Sequence, residues 1–242
     1  ESITGMSSEQ SQFTEEEITT CVQEAKSWGK WVAAHARSTW SVKQCVKQGI
    51  NVIYHASFLD SEALDLLDQH RNAHFIAPGL AWLINTCHNA KEYGLTPDVV
   101  QKMGYYKELD AAIESMRALH KRGVRIMPGG DYGFAWTPHG TNAKDLEYFT
   151  KHIGMSNLEA LLSATAWGAP MMRSAEPLGQ LKEGYLADIL LVDGDPMVDI
   201  TVLQDKSRIL AVMKDGKFHR EPPSVTSRGT PSRQSPPTRW AA

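Results

Sequence analysis

Residues 123–140 read GVRIMPGGDYGFAWTPHG, and the fold assignment depends on this stretch. A short apolar run, 124–127, stops at a Pro-Gly-Gly sequence, and the acidic residue Asp131 follows. A loop rich in aromatic residues and glycine comes next. In a parallel α/β protein, a strand of this kind delivers a carboxylate to the carboxyl-end face of the sheet, where chemistry normally takes place. The stretch therefore predicts that Asp131 lies at a functional site.

Two earlier strand-like runs each end on a histidine. They read WVAAH over residues 31–35 and NVIYH over residues 51–55. A lone histidine at a strand end is more often a packing residue than a ligand. Neighbouring parallel strands, however, bring their carboxyl ends together, so His35, His55 and Asp131 are predicted to converge. Imidazole and carboxylate groups suit a zinc-like ion, and these three residues form the candidate metal site.

The order of predicted elements favours a parallel sheet covered by helices. Four strand–helix units follow one another, and each strand is a nearly continuous apolar run. A capping-box pair, Thr14 and Glu17, predicts a helix over residues 14–29. Residues 80–106 lack a clear period and are predicted to be a long loop over a pocket. From about residue 170 the pattern becomes β-like, with an Asp-Gly turn signal at residues 215–216.

These patterns predict an α/β chain with three parts. Residues 1–172 carry the alternating strands and helices, residues 173–219 are β-like, and residues 220–242, rich in Pro, Ser and Arg, form a disordered tail.

Composition excludes several classes of partner. The net charge of -3 gives no reason to expect nucleic acid or an anionic membrane as a partner, and no apolar run approaches the length of a membrane span. Three widely spaced cysteines argue against a disulfide framework and favour a reducing, cytoplasmic location. The first residues lack the apolar segment of a signal peptide, and the absence of an initial Met suggests that sequence upstream is missing.

Three further residues are candidates for substrate contacts. His139 follows Asp131 within the same loop, Tyr132 is adjacent to Asp131, and Arg37 lies two residues beyond His35. An arginine there can meet a substrate carboxylate, although a solvated side chain is the simpler interpretation.

Several motifs together resemble the carboxyl-terminal half of an amidohydrolase-superfamily enzyme, in the imidazolonepropionase-like and Xaa-Pro-dipeptidase-like branch. These motifs are VAAHA (32–36), NVIYHASFLD (51–60), GVRIMPGGDYG (123–133), NLEALLSATAWGAPMM (157–172) and LGQLKEGYLADILLVDGDPMVDI (178–200). The last is the most specific.

The resemblance implies that residues 1–172 form half of a distorted (β/α)8 barrel of the TIM type, about four β/α units, and that residues 173–219 form strands of a small β-sandwich. It implies that His35 and His55 bind metal on strands five and six, and that Asp131 binds metal on strand eight and carries a proton between water and leaving group. It also implies one or two divalent ions, usually zinc, and hydrolysis of an amide or other C–N bond in a small molecule or dipeptide.

The sequence departs from the family pattern at its start. It contains no His-x-His pair, which the family carries on strand one, and the strand-four lysine of two-metal members would lie upstream. We therefore expect the chain to be a fragment, a truncated product or half of a split enzyme, inactive alone, whose partner is the missing amino-terminal half or another copy of itself. Two alternatives are a catalytically dead half-barrel that acts as a binding or assembly module, and a metal-dependent decarboxylase or deaminase on the same scaffold.

Overall fold

A parallel sheet lies at the centre of the fold, and its strand order follows the chain. The computed structural model describes residues 6–129 and 131–223. Strands β1 (Ala33–Ala36), β2 (Val52–His55) and β3 (Phe75–Ala77) pair in the order β1-β2-β3, and both pairings are parallel. Because parallel neighbours need crossover connections, a helix lies between each pair of strands.

Eight α-helices accompany the sheet in the described ranges. In chain order they are α1 (Glu15–Ser27), α2 (Thr39–Gln48), α3 (Ser61–Gln69), α4 (Leu80–His88), α5 (Pro97–Lys102), α6 (Tyr105–Lys121), α7 (Lys144–Tyr148) and α8 (Asn157–Ala164). The predicted capping box of α1 is present, with the Thr14 side chain and Glu17 satisfying each other's backbone N–H groups. The α/β class predicted from the sequence is therefore observed.

The segment predicted to be a long loop over a pocket, residues 80–106, is mostly helical, and its first helix is buried, so that prediction is wrong. All residues of α4 from Leu80 to Cys87 are buried, and Trp82 is only 1% exposed. A helix that is apolar on every side shows no amphipathic period, which explains why the sequence pattern did not reveal it. Helix α4 packs against α6 and forms part of the main core.

The strand predicted before Asp131 is reduced to a single parallel bridge between Ile126 and Ile76. The Met127 backbone N–H still donates to the Ile76 carbonyl at 2.7 Å. Pro128 follows and has no N–H to continue the ladder. The chain therefore leaves the sheet immediately before Asp131.

A second sheet follows in the last part of the described chain. Strands β4 (Ile189–Val192), β5 (Ile209–Lys214) and β6 (Lys217–Arg220) pair antiparallel in that order. The predicted turn joins β5 to β6, with φ of 48° at Asp215 and 72° at Gly216, the pairing of positive φ values that a two-residue hairpin needs.

The division of the chain into three parts stays a prediction. Strand β6 extends one residue past the predicted boundary at residue 219. Most of the predicted disordered tail, residues 224–242, lies outside the described residues.

Within the described ranges, no helix combines the length and apolar character needed to cross a bilayer.

Candidate metal centre

The two histidines meet across neighbouring strands. His35 Nδ1 lies 2.7 Å from His55 Nε2, and the ring centroids are 4.9 Å apart. The β1–β2 register pairs His35 with Tyr54, and His55 with Ala36. Regular alternation would therefore place the two histidines on opposite faces of the sheet. His55 has a φ of 74° and the next residue, Ala56, a φ of 49°, so the chain turns out of the pleat there.

Asp131 completes the group. Its Oδ2 lies 3.6 Å from His55 Nε2, and one ligand atom from each of His35, His55 and Asp131 lies within 4.8 Å of the other two. Asp131 also has a left-handed φ, 51°. Two of the three residues are thus held in a backbone conformation that costs on the order of 1–3 kcal/mol, a cost that folds tend to retain at functional sites.

The donor set fits a divalent metal ion. Two imidazole nitrogens and one carboxylate oxygen form a ligand set typical of zinc-like ions, and three protein ligands leave a position open for water or substrate. His55 is 1% exposed, whereas His35 is exposed and a quarter of the Asp131 side chain is accessible. The group is therefore anchored on the His55 side and open on the His35 side.

The environment of His55 favours the neutral imidazole. Burial, reinforced by the positive charge of Arg37 and by His35, holds the pKa of His55 well below its usual range, with the Pro78 backbone acting in the opposite direction. Only a neutral imidazole can coordinate a metal ion, so this shift prepares His55 as a ligand at neutral pH.

Arg37 connects this group to a buried polar network. Its Nη2 lies 3.9 Å from Asp131 Oδ2, its Nη1 makes a close ion pair with Glu108, and its guanidinium lies 5.5 Å from the centre of the Trp82 ring. The Ser57 hydroxyl donates to the same Glu108 oxygen at 2.9 Å. Arg37 is therefore held by Glu108 at a position next to Asp131.

Asp145 holds the turn that carries Asp131. It lies on α7 and is 1% exposed, and its Oδ2 accepts a hydrogen bond from the Gly129 backbone N–H at 2.9 Å. The Tyr132 side chain also interacts with this carboxyl group. Burial raises the pKa of Asp145 to about 7, and the hydrogen bonds from the Gly129 backbone, the Ala81 backbone and the Tyr132 side chain only partly oppose that shift.

A cavity of about 680 Å³ opens beside the candidate metal site formed by His35, His55 and Asp131. His35, Arg37 and Asp131 lie on its wall, and much of the remaining lining is apolar, including Phe13, Ile18, Trp40 and Phe134.

Tyr132 and His139 are not among the described residues that line this cavity. The exposed His139 ring instead lies over Gly133, where an added Cβ would be 3.1 Å from His139 Nε2. Tyr132 donates a long hydrogen bond to the Asn142 carbonyl at 3.4 Å. Substrate contacts by Tyr132, His139 and Arg37 stay predictions.

Sequence reasoning missed Glu108 and Asp145. Both acids occupy the buried face of a helix: Glu108 lies three residues after the buried Tyr105, and Asp145 lies four residues before the buried Phe149. Charged residues are almost never fully buried unless they are paired. An acidic residue on an apolar helix face was therefore the signal that could have identified both.

Comparison with known proteins covers most of the chain. The profile described as "Amidohydrolase family" matches residues 2–218. Ochratoxinase from Aspergillus niger is 29% identical over 212 residues, which cover 87% of this chain and 42% of that relative. The chain thus spans less than half the length of the curated relatives it matches.

Solved structures likewise match most of this chain with about half of their own length. A Xaa-Pro dipeptidase with methionine bound in its active site superposes with a TM-score of 0.76 at 32% identity, covering 88% of this chain and 50% of that one. The crystal structure of A. niger ochratoxinase superposes with a TM-score of 0.77 at 26% identity, covering 89% of this chain and 47% of that one.

Proposed function

Because the chain belongs to the amidohydrolase family, we propose that it supplies the carboxyl-terminal half of a (β/α)8 barrel enzyme that hydrolyses an amide or other C–N bond with the help of a divalent metal ion. The observation that carries the proposal is the convergence of His35, His55 and Asp131, whose ligand atoms lie within 4.8 Å of one another. The substrate is a small molecule or a dipeptide, in keeping with relatives named ochratoxinase and Xaa-Pro dipeptidase.

In this proposal, His35, His55 and Asp131 hold the ion, and the remaining ligands come from residues outside this chain. One or two ions are involved, with zinc as the expected metal, since imidazole and carboxylate donors suit it. A divalent ion at such a site polarises the scissile carbonyl and lowers the pKa of water, which makes a nucleophile available at neutral pH.

Asp131 moves the proton. Hydrolysis consumes one water, whose oxygen forms the new C–O bond while the C–N bond breaks. The Asp131 carboxylate accepts a proton from the attacking water and delivers it to the leaving nitrogen, so the products are a carboxylic acid and an amine. Its position 3.6 Å from His55 Nε2 and on the cavity wall is suited to both tasks.

The other half of the barrel is the partner that this proposal requires. Strand β1 is the first strand of its sheet, and the exposed His35 lies on it. A preceding strand pairing there in parallel would extend the sheet and enclose the open side of the metal group. A cytoplasmic location stays a prediction; it agrees with three cysteines that are all free.

The test is Asp131→Asn in the full-length protein, assayed on a panel of Xaa-Pro dipeptides and N-acyl amino acids after loading with Zn²⁺. We expect kcat to fall by about 10²- to 10⁴-fold, the usual contribution of a positioned acid–base group. Asp110→Asn, at an exposed position on α6, is the matched control and should be unaffected. Near-wild-type turnover by Asp131→Asn would show that the assigned role is wrong. Absence of turnover with every substrate would favour the assembly-module alternative.

A further inference from the structure

Glu108 is an acid that the proposed chemistry does not use, although it contacts Arg37, which in turn lies next to Asp131 of the candidate metal site. Glu108 is 0% exposed, and a single oxygen, Oε1, contacts both the Arg37 guanidinium and the Ser57 hydroxyl. Ser57 is itself fixed, because its carbonyl accepts a hydrogen bond from Ser115 Oγ at 2.9 Å. A buried carboxylate is costly unless it is paired, and the ion pair with Arg37 supplies that partner for Glu108.

Arg37 places a positive charge beside the candidate ligands. Its Nη2 lies 3.9 Å from Asp131 Oδ2, the same oxygen that lies 3.6 Å from His55 Nε2. The Arg37 side chain is only 5% exposed, so water screens its charge poorly. An uncompensated guanidinium at this position would repel a divalent cation and would compete with it for the Asp131 carboxylate.

We propose that Glu108 is a positioning residue that neutralises Arg37 and so keeps the Asp131 carboxylate available to a divalent cation. This inference rests on the proposed function, because it assumes a cation held by His35, His55 and Asp131. Glu108 acts through Arg37, with the ion pair on the Nη1 side and Asp131 on the Nη2 side of one planar group. A planar guanidinium suits this task because its fork presents separate nitrogens to two carboxylates.

The test measures Zn²⁺ affinity of the metal-free full-length protein by competition with a chromogenic chelator, without any substrate. We expect Glu108→Gln, which keeps the shape and removes the charge, to weaken Zn²⁺ binding by about 10- to 100-fold, the usual effect of losing an outer partner of a ligand. Glu114→Gln, at an exposed position on the same helix, is the matched control and should bind as the wild type does.

A double variant separates charge compensation from packing. Arg37→Gln combined with Glu108→Gln removes both charges and leaves two amides that can still hydrogen-bond. If Glu108 acts by neutralising Arg37, the double variant should recover Zn²⁺ affinity to within about threefold of the wild type, a non-additive result that mere damage to the fold would not give. A double variant as weak as Glu108→Gln alone would overturn the proposal.

The remaining outcomes are also decisive. Unchanged Zn²⁺ affinity in Glu108→Gln would overturn the proposal. If Glu108→Gln does not fold, Glu108→Asp takes its place; it keeps the charge but moves it away from Arg37, and we expect at least a threefold loss of affinity, with an unchanged value overturning the proposal. His35→Ala tests the underlying metal site: if that variant still binds Zn²⁺ like the wild type, the proposed function fails, whereas a loss there with a normal Glu108→Gln defeats only the role of Glu108.

Discussion

His35 Nδ1 and His55 Nε2 lie 2.7 Å apart, across two parallel strands whose register pairs neither residue with the other. Two imidazole nitrogens at this distance share a hydrogen bond. In the proposed function, a divalent cation would replace that hydrogen bond, and because the environment of His55 disfavours its charged form, its nitrogen lone pair would be available to the cation at neutral pH.

We expect Zn²⁺ to stabilise the protein against unfolding through this pair. A ligand that binds only the folded state at 100 times its dissociation constant adds about 2.7 kcal/mol to the free energy of unfolding. The measurement is thermal denaturation of chelator-treated protein with and without added Zn²⁺. His35→Ala should abolish the shift, and His219→Ala, at an exposed position on β6, should retain it. An equal shift in both variants would place the ion elsewhere.

Gly79→Ala should disturb the candidate metal site by displacing the His55 ring. Gly79 has a φ of +66°, and an added Cβ would lie 3.0 Å from His55 Nδ1, so the ring would have to move. We expect at least a tenfold loss of Zn²⁺ affinity, together with a backbone cost of about 1 kcal/mol in the free energy of unfolding.

Gly94→Ala is the matched control for that substitution. Gly94 also has a positive φ, +88°, but an added Cβ there would meet nothing within 4 Å. It should therefore lose a similar amount of stability and keep its Zn²⁺ affinity. Equal affinity losses in the two variants would mean that the contact with His55 is not responsible.

Asp145 should make stability depend on pH. Its pKa is raised to about 7 in the folded protein from the ordinary 3.8, so between these pH values the folded state holds a proton that the unfolded chain has released. The free energy of unfolding should therefore fall as pH rises from about 4 to about 7, by up to about 4 kcal/mol, and then stay level with respect to this group.

Denaturant titrations across that pH range, comparing the wild type with Asp145→Asn, test this expectation. The amide still accepts the Gly129 hydrogen bond but does not titrate, so the slope of stability against pH should become flatter. Asp110→Asn, exposed on α6, should keep the wild-type slope. If Asp145→Asn keeps that slope too, another group is responsible.

Leu83→Ala tests the burial of α4. Leu83 is 0% exposed in the main core, and large-to-small substitutions at such positions cost about 2–5 kcal/mol in the free energy of unfolding. Leu181→Ala makes the same chemical change at a side chain that is 83% exposed and should cost less than about 0.5 kcal/mol. Chemical denaturation measures both, and similar small losses would indicate that α4 is not buried in the core.

The sequence by itself determined the alternation of strands and helices, the helix caps, the Asp-Gly hairpin and the identity of the three converging residues. These features depend on local chemistry: apolar runs, side chains that cap helix ends, and turn residues that tolerate positive φ. The family likeness, carried by the motifs around His35, His55 and Asp131, was also readable from the sequence and is confirmed by the match over residues 2–218.

Only the tertiary structure decided how the three residues meet and what supports them. Strict alternation along β1 and β2 would have separated His35 from His55, and the left-handed turn at His55 reverses that outcome. The pairing of Glu108 with Arg37 joins residues 71 positions apart, and the burial of α4 depends on helices packed on every side of it. Long-range packing and local backbone strain leave no periodic mark in a sequence, because they depend on which segments become neighbours after folding.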